Sequence, residues 1–87
     1  ETRATHPAAS ITLTRLDPGQ TIGTHVHAIE TETAYLLAGQ GRLILDGQPT
    51  DLTAGMGVTI PPGIVHSLHN PGDAPLELIA IHTPPVR

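Results

Sequence analysis

Apolar and polar residues alternate along most of this chain, in short runs broken by turn residues. Residues 10–16 place Ile11, Leu13 and Arg15 on one face of an extended segment and Thr12, Thr14 and Leu16 on the other, the period-two pattern of a strand. Asp17-Pro18-Gly19-Gln20 reads as a turn, because Pro presets φ and Gly supplies φ > 0. Residues 21–27 resume an extended segment with Thr21, Gly23, His25 and His27 on one face. Residues 32–38 are the next strand, closed by Gly39-Gln40-Gly41, and residues 42–45 run into Asp46-Gly47, a strong hairpin signal. Residues 48–52, 58–60, 66–70 and 76–82 read as further strands. Between them lie Thr53-Ala54-Gly55, Pro61-Pro62-Gly63 and the turn-rich residues 70–75.

The sum is about eight short strands at regular spacing, without a 3.6-residue period or helix capping. That pattern predicts an all-β sandwich or barrel. Residues 1–9 carry no period and read as an N-terminal arm or an irregular first strand. The nine Gly and nine Pro punctuate apolar strands, so they do not signal disorder.

Composition sharpens this picture. The 87 residues amount to one small domain, 1–87. A chain of this size buries about 60–68% of its unfolded surface, which leaves it marginally stable alone. Trp and Phe are absent and there is one Tyr and one Met, so the core must come from Ile, Leu, Val and Ala. The lack of cysteine excludes a disulfide-stapled miniprotein. Burial of more apolar surface between two subunits would compensate, and a homodimer is expected.

Charge narrows the partners. Four Arg and no Lys stand against eight acidic residues, a formal net charge of −4. Nucleic acid is therefore not an expected partner, since phosphate binding draws on clustered basic residues. No apolar run approaches the about 18–20 residues of a membrane span, and no signal-peptide pattern is visible. The chain starts at Glu1 rather than Met, which leaves open a leader removed before it. A cytoplasmic location is the default expectation.

The candidate chemistry lies in His25-Val26-His27. Two strand residues separated by one share a face, with Cα atoms roughly 6.6 Å apart, so both imidazoles can converge on one ion. Glu32 follows after a short connection, and His66 comes after Pro61-Pro62-Gly63. Three imidazoles and a carboxylate are a complete protein ligand set for a divalent transition metal.

Gly19, His25, His27, Glu32 and Gly39 resemble the first motif of the cupins, G-x5-H-x-H-x3–4-E-x6-G, across residues 19–39. Gly55, Pro61, Gly63, His66 and Asn70 resemble the second, G-x5-P-x-G-x2-H-x3-N, across residues 55–70. The resemblance implies a cupin-type double-stranded β-helix, or jelly-roll, barrel of the small single-domain kind. It implies His25, His27, Glu32 and His66 as metal ligands. Glu32 satisfies both intervals of the first motif and Glu30 satisfies neither, which leaves Glu30 as a loop carboxylate at the cavity rim.

The remaining residues are weighed by face. His69 falls opposite His66 and reads as a surface histidine, and His6 in the arm reads as solvent-exposed. His82 shares a face with Leu76, Leu78 and Ala80; it is either a group beside the ligands or a packed strand-end histidine. Tyr35 lies opposite Glu32 and suits packing or a dimer contact. Asn70 suits a structural role in its turn. The expected cavity walls are Leu36, Ile44, Met56, Ile60, Leu68 and Ile79, and Arg42, the one mid-chain cation, suits a solvent-facing position.

Cupins with this ligand set, as the resemblance implies, include dioxygenases, oxalate-degrading enzymes, sugar isomerases and storage proteins. The first expectation is a small metal-dependent enzyme of oxygenase type. It would act on a small organic substrate with iron or manganese, with nickel, copper and zinc open. The alternatives are a non-catalytic module that binds or senses a small ligand, a metal-dependent isomerase or lyase, and a structural barrel that has kept its metal. No organic cofactor is expected.

Overall fold

The computed structural model describes residues 2–6, by their backbone pairing, and 8–85. Its described elements are nine strands: β1 Thr2–His6, β2 Ala9–Leu16, β3 Thr21–His25, β4 Thr31–Ala38, β5 Gln40–Leu45, β6 Gln48–Thr53, β7 Gly57–Ile60, β8 His66–His69 and β9 Leu76–Thr83. They form a five-stranded sheet, β1-β2-β9-β4-β7, and a four-stranded sheet, β3-β8-β5-β6. All pairings are antiparallel, as the all-β reading expects. Residues 2–6 form a strand paired to β2, from Thr2↔Leu13 to His6↔Ala9. The orientation of the His6 side chain lies outside what the structure describes. Among the described residues no helix is long and apolar enough to cross a membrane.

Strand register stacks the inner face of the larger sheet in rows. The first row is Ser10–His82–Glu32–Ile60, the second Thr12–Ala80–Ala34–Val58, the third Thr14–Leu78–Leu36 and the fourth Leu16–Leu76. The facing sheet contributes His25–His66–Leu45 and, beneath it, Ile22–Leu68–Leu43. The barrel therefore has a histidine-rich end and an aliphatic end. The aliphatic end is closed by a core that includes Leu16, Leu36, Leu43, Leu52, Leu68, Leu76 and Leu78, the non-aromatic core that composition required.

Asn70 holds this closed end together. It is fully buried, and its Nδ2 donates to the carbonyls of Leu16 at 3.0 Å and Ala74 at 2.9 Å. Its Oδ1 accepts from the Gly72 amide at 2.9 Å, and its backbone pairs with Gly19 and Gln20. One side chain thus ties two turns to the end of β2. The Asp46-Gly47 turn has φ of 47° and 81°, the double left-handed geometry that suits a two-residue hairpin.

Three expected wall residues face outward. Ile44 and Met56 are exposed and Ile79 is half-buried on the outer face. For Ile44 and Ile79 the cause is the period of two: Leu43 on β5 and Leu78 and Ala80 on β9 take the inward positions, so their neighbours turn away. Met56 lies on the turn between β6 and β7, outside any strand. Ile79, Ile81, Ile11, Leu13, Tyr35 and Leu37 instead form an apolar outer surface across β2, β9 and β4. Arg42 is solvent-facing and pairs with Asp51 at 3.1 Å.

Candidate metal centre

The two histidines of the first motif converge by a different route from strand alternation. β3 carries a register shift between Ile22 and His25 and ends at His25, which pairs with His66 of β8. His27 lies beyond the strand, on the connection to β4. The Gly63 amide donates to the His27 carbonyl at 2.9 Å, tying that connection to the Pro61-Pro62-Gly63 loop. Glu32, at the start of β4, sits in the first row of the opposite sheet. One ligand atom from each of His25, His27, Glu32 and His66 falls within 4.8 Å of the others. Atoms about 2.1 Å from a shared ion are at most about 4.2 Å apart, so small side-chain adjustments would close the set.

Hydrogen bonds orient the rings. His25 Nδ1 lies 2.8 Å from the Gly23 carbonyl and His66 Nδ1 lies 2.9 Å from the Ile64 carbonyl. A carbonyl only accepts, so Nδ1 carries the proton in each ring and the Nε2 lone pair points into the site. His66 is 4% exposed and its Nε2 has no hydrogen-bond partner. That atom faces Glu32 Oε1 at 3.5 Å, and His27 Nε2 faces the same oxygen at 3.4 Å. Lone pairs pointed at a carboxylate in a partly buried site are unfavourable unless a cation or proton lies between them. The residues present fit a divalent metal, and the cluster could hold one.

Burial lowers the His27 pKa from its ordinary 6.5, helped by the neighbouring imidazoles of His82, His25 and His66 and opposed by Glu32. The ring is therefore neutral at pH 7, the form that offers a lone pair. Glu30 lies on the connection between β3 and β4, as its reading as a loop carboxylate expects. Its side chain is 15% exposed and lies 3.8 Å from His27 Nδ1, too long for a direct hydrogen bond. His69 stays outside the cluster, on the outer face, hydrogen-bonded to Thr21 Oγ1 at 2.7 Å.

His82 enters the cluster as a fourth histidine. Its Nε2 donates to Glu32 Oε1 at 2.9 Å, while its Nδ1 is buried without a partner. Of the two readings the sequence left open for His82, the structure takes the one beside the ligands. Only the register across β9 and β4 puts it beside Glu32. This contact fixes the carboxylate, so His82→Ala is expected to weaken metal binding about 10–100-fold with the fold retained. Metal titration of the variant, followed by calorimetry, reads this directly; unchanged affinity would contradict the positioning role.

Below the cluster opens a cavity of about 220 Å³. Its walls are mainly Leu, Ile, Val and Ala from both sheets, with Thr12 and Thr14 on β2. Glu32 is the one carboxylate on the lining, and neither Arg nor Lys contributes to it.

Relatives bear on this geometry. The sequence profile of the cupin domain matches residues 12–82. A mannose-1-phosphate guanylyltransferase of Klebsiella pneumoniae is 32% identical over 77 residues, covering 88% of this chain and 16% of that protein. An oxalate-binding protein of Thermotoga maritima is 34% identical over 67 residues, covering 77% of this chain and 55% of that protein. The chain thus spans only part of the length of either relative. A solved Klebsiella pneumoniae protein with a double-stranded β-helix domain superposes with a TM-score of 0.89 at 27% identity, over 93% of this chain and 71% of that one. The two sheets are those of a double-stranded β-helix, the profile match spans most of the sequence, and the chain belongs to the cupin family.

Proposed function

We propose that the protein binds one divalent transition metal through His25, His27, Glu32 and His66 and is a small oxygenase-type enzyme acting on a small organic substrate. The observation that carries this reading is the buried, unpartnered Nε2 of His66 facing the Glu32 carboxylate. Imidazole and carboxylate without thiolate suit iron or manganese, with nickel, copper and zinc as open alternatives. Such a metal supplies Lewis-acid polarisation or one-electron chemistry with O₂. The chain's own residues orient and exclude: Gly23 and Ile64 carbonyls set the histidine tautomers, His82 holds Glu32, and the aliphatic walls keep water from the substrate's body.

The second reading is a module that captures a small ligand at the metal without turnover. The similarity to an oxalate-binding protein supports it. An isomerase or lyase would use the same ligands. The test is O₂ consumption and product formation by metal-loaded protein across a panel of enols, catechols and thiols. Turnover supports the enzyme. Saturable binding with no turnover in any member transfers the assignment to the binding module.

The outer apolar face of β2, β9 and β4 supports a homodimer, since Ile11, Leu13, Tyr35 and Leu37 are otherwise left in water. Sedimentation is expected to show a dimer that Leu13→Glu converts to monomer. A monomeric wild type would contradict this.

A further inference from the structure

The cavity beneath the cluster has a composition that restricts what can fill it. In the second row of the larger sheet, Ala80 and Ala34 stand where the rows on either side carry His82 with Glu32 and Leu78 with Leu36. Two small side chains side by side create the space. Thr12 belongs to this row and Thr14 to the next, and both line the cavity. Thr12 is 8% exposed, and neither hydroxyl has a hydrogen-bond partner among the described residues. Both hydroxyls therefore offer a hydrogen bond to whatever fills the cavity. The other polar side chains on the lining are the histidines and Glu32 of the cluster itself.

We propose that Thr12, backed by Thr14, is the distal subsite for the bound small molecule, and that this molecule is neutral apart from its metal-chelating head. This rests on the metal reading above, because the head must be held at the His25–His27–Glu32–His66 cluster. Thr12 lies one row, roughly 6.6 Å along the strand, from the Glu32–His82 row. A molecule one ring across reaches from one to the other. The cavity volume of about 220 Å³ compares with the 150 Å³ or so of an engineered cavity that holds benzene, so one substituted ring fits. A carbonyl or hydroxyl at the far side of that ring would meet the Thr12 hydroxyl. A second anionic group there would meet apolar walls with no Arg or Lys to pair it, which excludes phosphates and ring dicarboxylates.

The test uses protein loaded with zinc, which has no redox chemistry of its own, and three matched probes. Catechol has the chelating head alone, 3,4-dihydroxybenzaldehyde adds a neutral acceptor opposite it, and 3,4-dihydroxybenzoate adds an anion there. Calorimetry is expected to rank the aldehyde about fivefold tighter than catechol, the share of one net hydrogen bond, and the benzoate weakest. Thr12→Val, which keeps the side-chain shape, is expected to bring the aldehyde-to-catechol ratio close to one. Ala80→Leu is expected to abolish binding of all three while zinc content stays at one equivalent. Equal affinities for aldehyde and catechol in zinc-loaded wild type, or a ratio unmoved by Thr12→Val in a variant that melts like wild type, would overturn the subsite alone. Failure to take up zinc would overturn the metal reading, and the subsite with it.

Discussion

His66→Ala is expected to abolish tight metal binding, a loss well beyond the about 10–100-fold that removal of an outer partner costs. The ring is 4% exposed, its Nδ1 proton is committed to the Ile64 carbonyl, and its Nε2 points at Glu32 with nothing to pair it. His69, the other histidine of β8, faces outward and cannot replace it. Thermal unfolding with and without metal separates loss of the ligand from loss of the fold. Metal at about 100 times its dissociation constant should stabilise the wild type by about 2.7 kcal/mol and leave His66→Ala unmoved. A variant that melts cooperatively yet keeps the metal-dependent shift would remove His66 from the ligand set.

Gly39→Ala is expected to have the largest effect on folding. Gly39 links β4 to β5 with φ of 83°, where an L-residue costs about 1–2 kcal/mol. An added Cβ would also stand 2.6 Å from the Pro75 carbonyl oxygen and 2.9 Å from Leu76 Cα. Both are backbone atoms at the start of β9, so relief requires moving the strand that carries Leu76, Leu78, Ala80 and His82. Forced backbone shifts of this kind cost about 1–3 kcal/mol. The sum, about 2–5 kcal/mol, is a large share of the about 5–15 kcal/mol that holds a domain together. Gly63 is the control: its φ is also 83°, but no atom lies within 4 Å of the added Cβ. Urea unfolding should therefore find Gly63→Ala mildly destabilised and Gly39→Ala severely so. Equal losses would show that the close approach to β9 carries no weight.

The candidate centre was legible because its residues sit in a frame that resembles the two cupin motifs. His25, His27, Glu32 and His66 stand in register with Gly19, Gly39, Gly55 and Gly63, and the structure brings the four side chains to one place. The route was less legible. A register shift in β3 and the early end of that strand, not plain alternation, turn His25 and His27 toward each other. Alternation put His82 on the face of Leu76, Leu78 and Ala80 but left its role open, because its contact with Glu32 depends on how β9 registers against β4, a long-range pairing no local pattern encodes. The same limit explains Ile44 and Ile79, because a strand can be recognised before its buried face is known. On β2 the aliphatic residues Ile11 and Leu13 face outward while Thr12 and Thr14 line the cavity. Hydrophobicity alone would have chosen the opposite face.

These assignments meet at a single point, the occupation of the centre by a metal. Elemental analysis of untagged protein, prepared without a metal column, alongside Glu32→Ala and His66→Ala, tests it most directly. The account predicts about one equivalent of a divalent transition metal in the wild type, as for a mononuclear site, and its loss from both variants. A folded wild type that carries no metal and takes up none on reconstitution would contradict it.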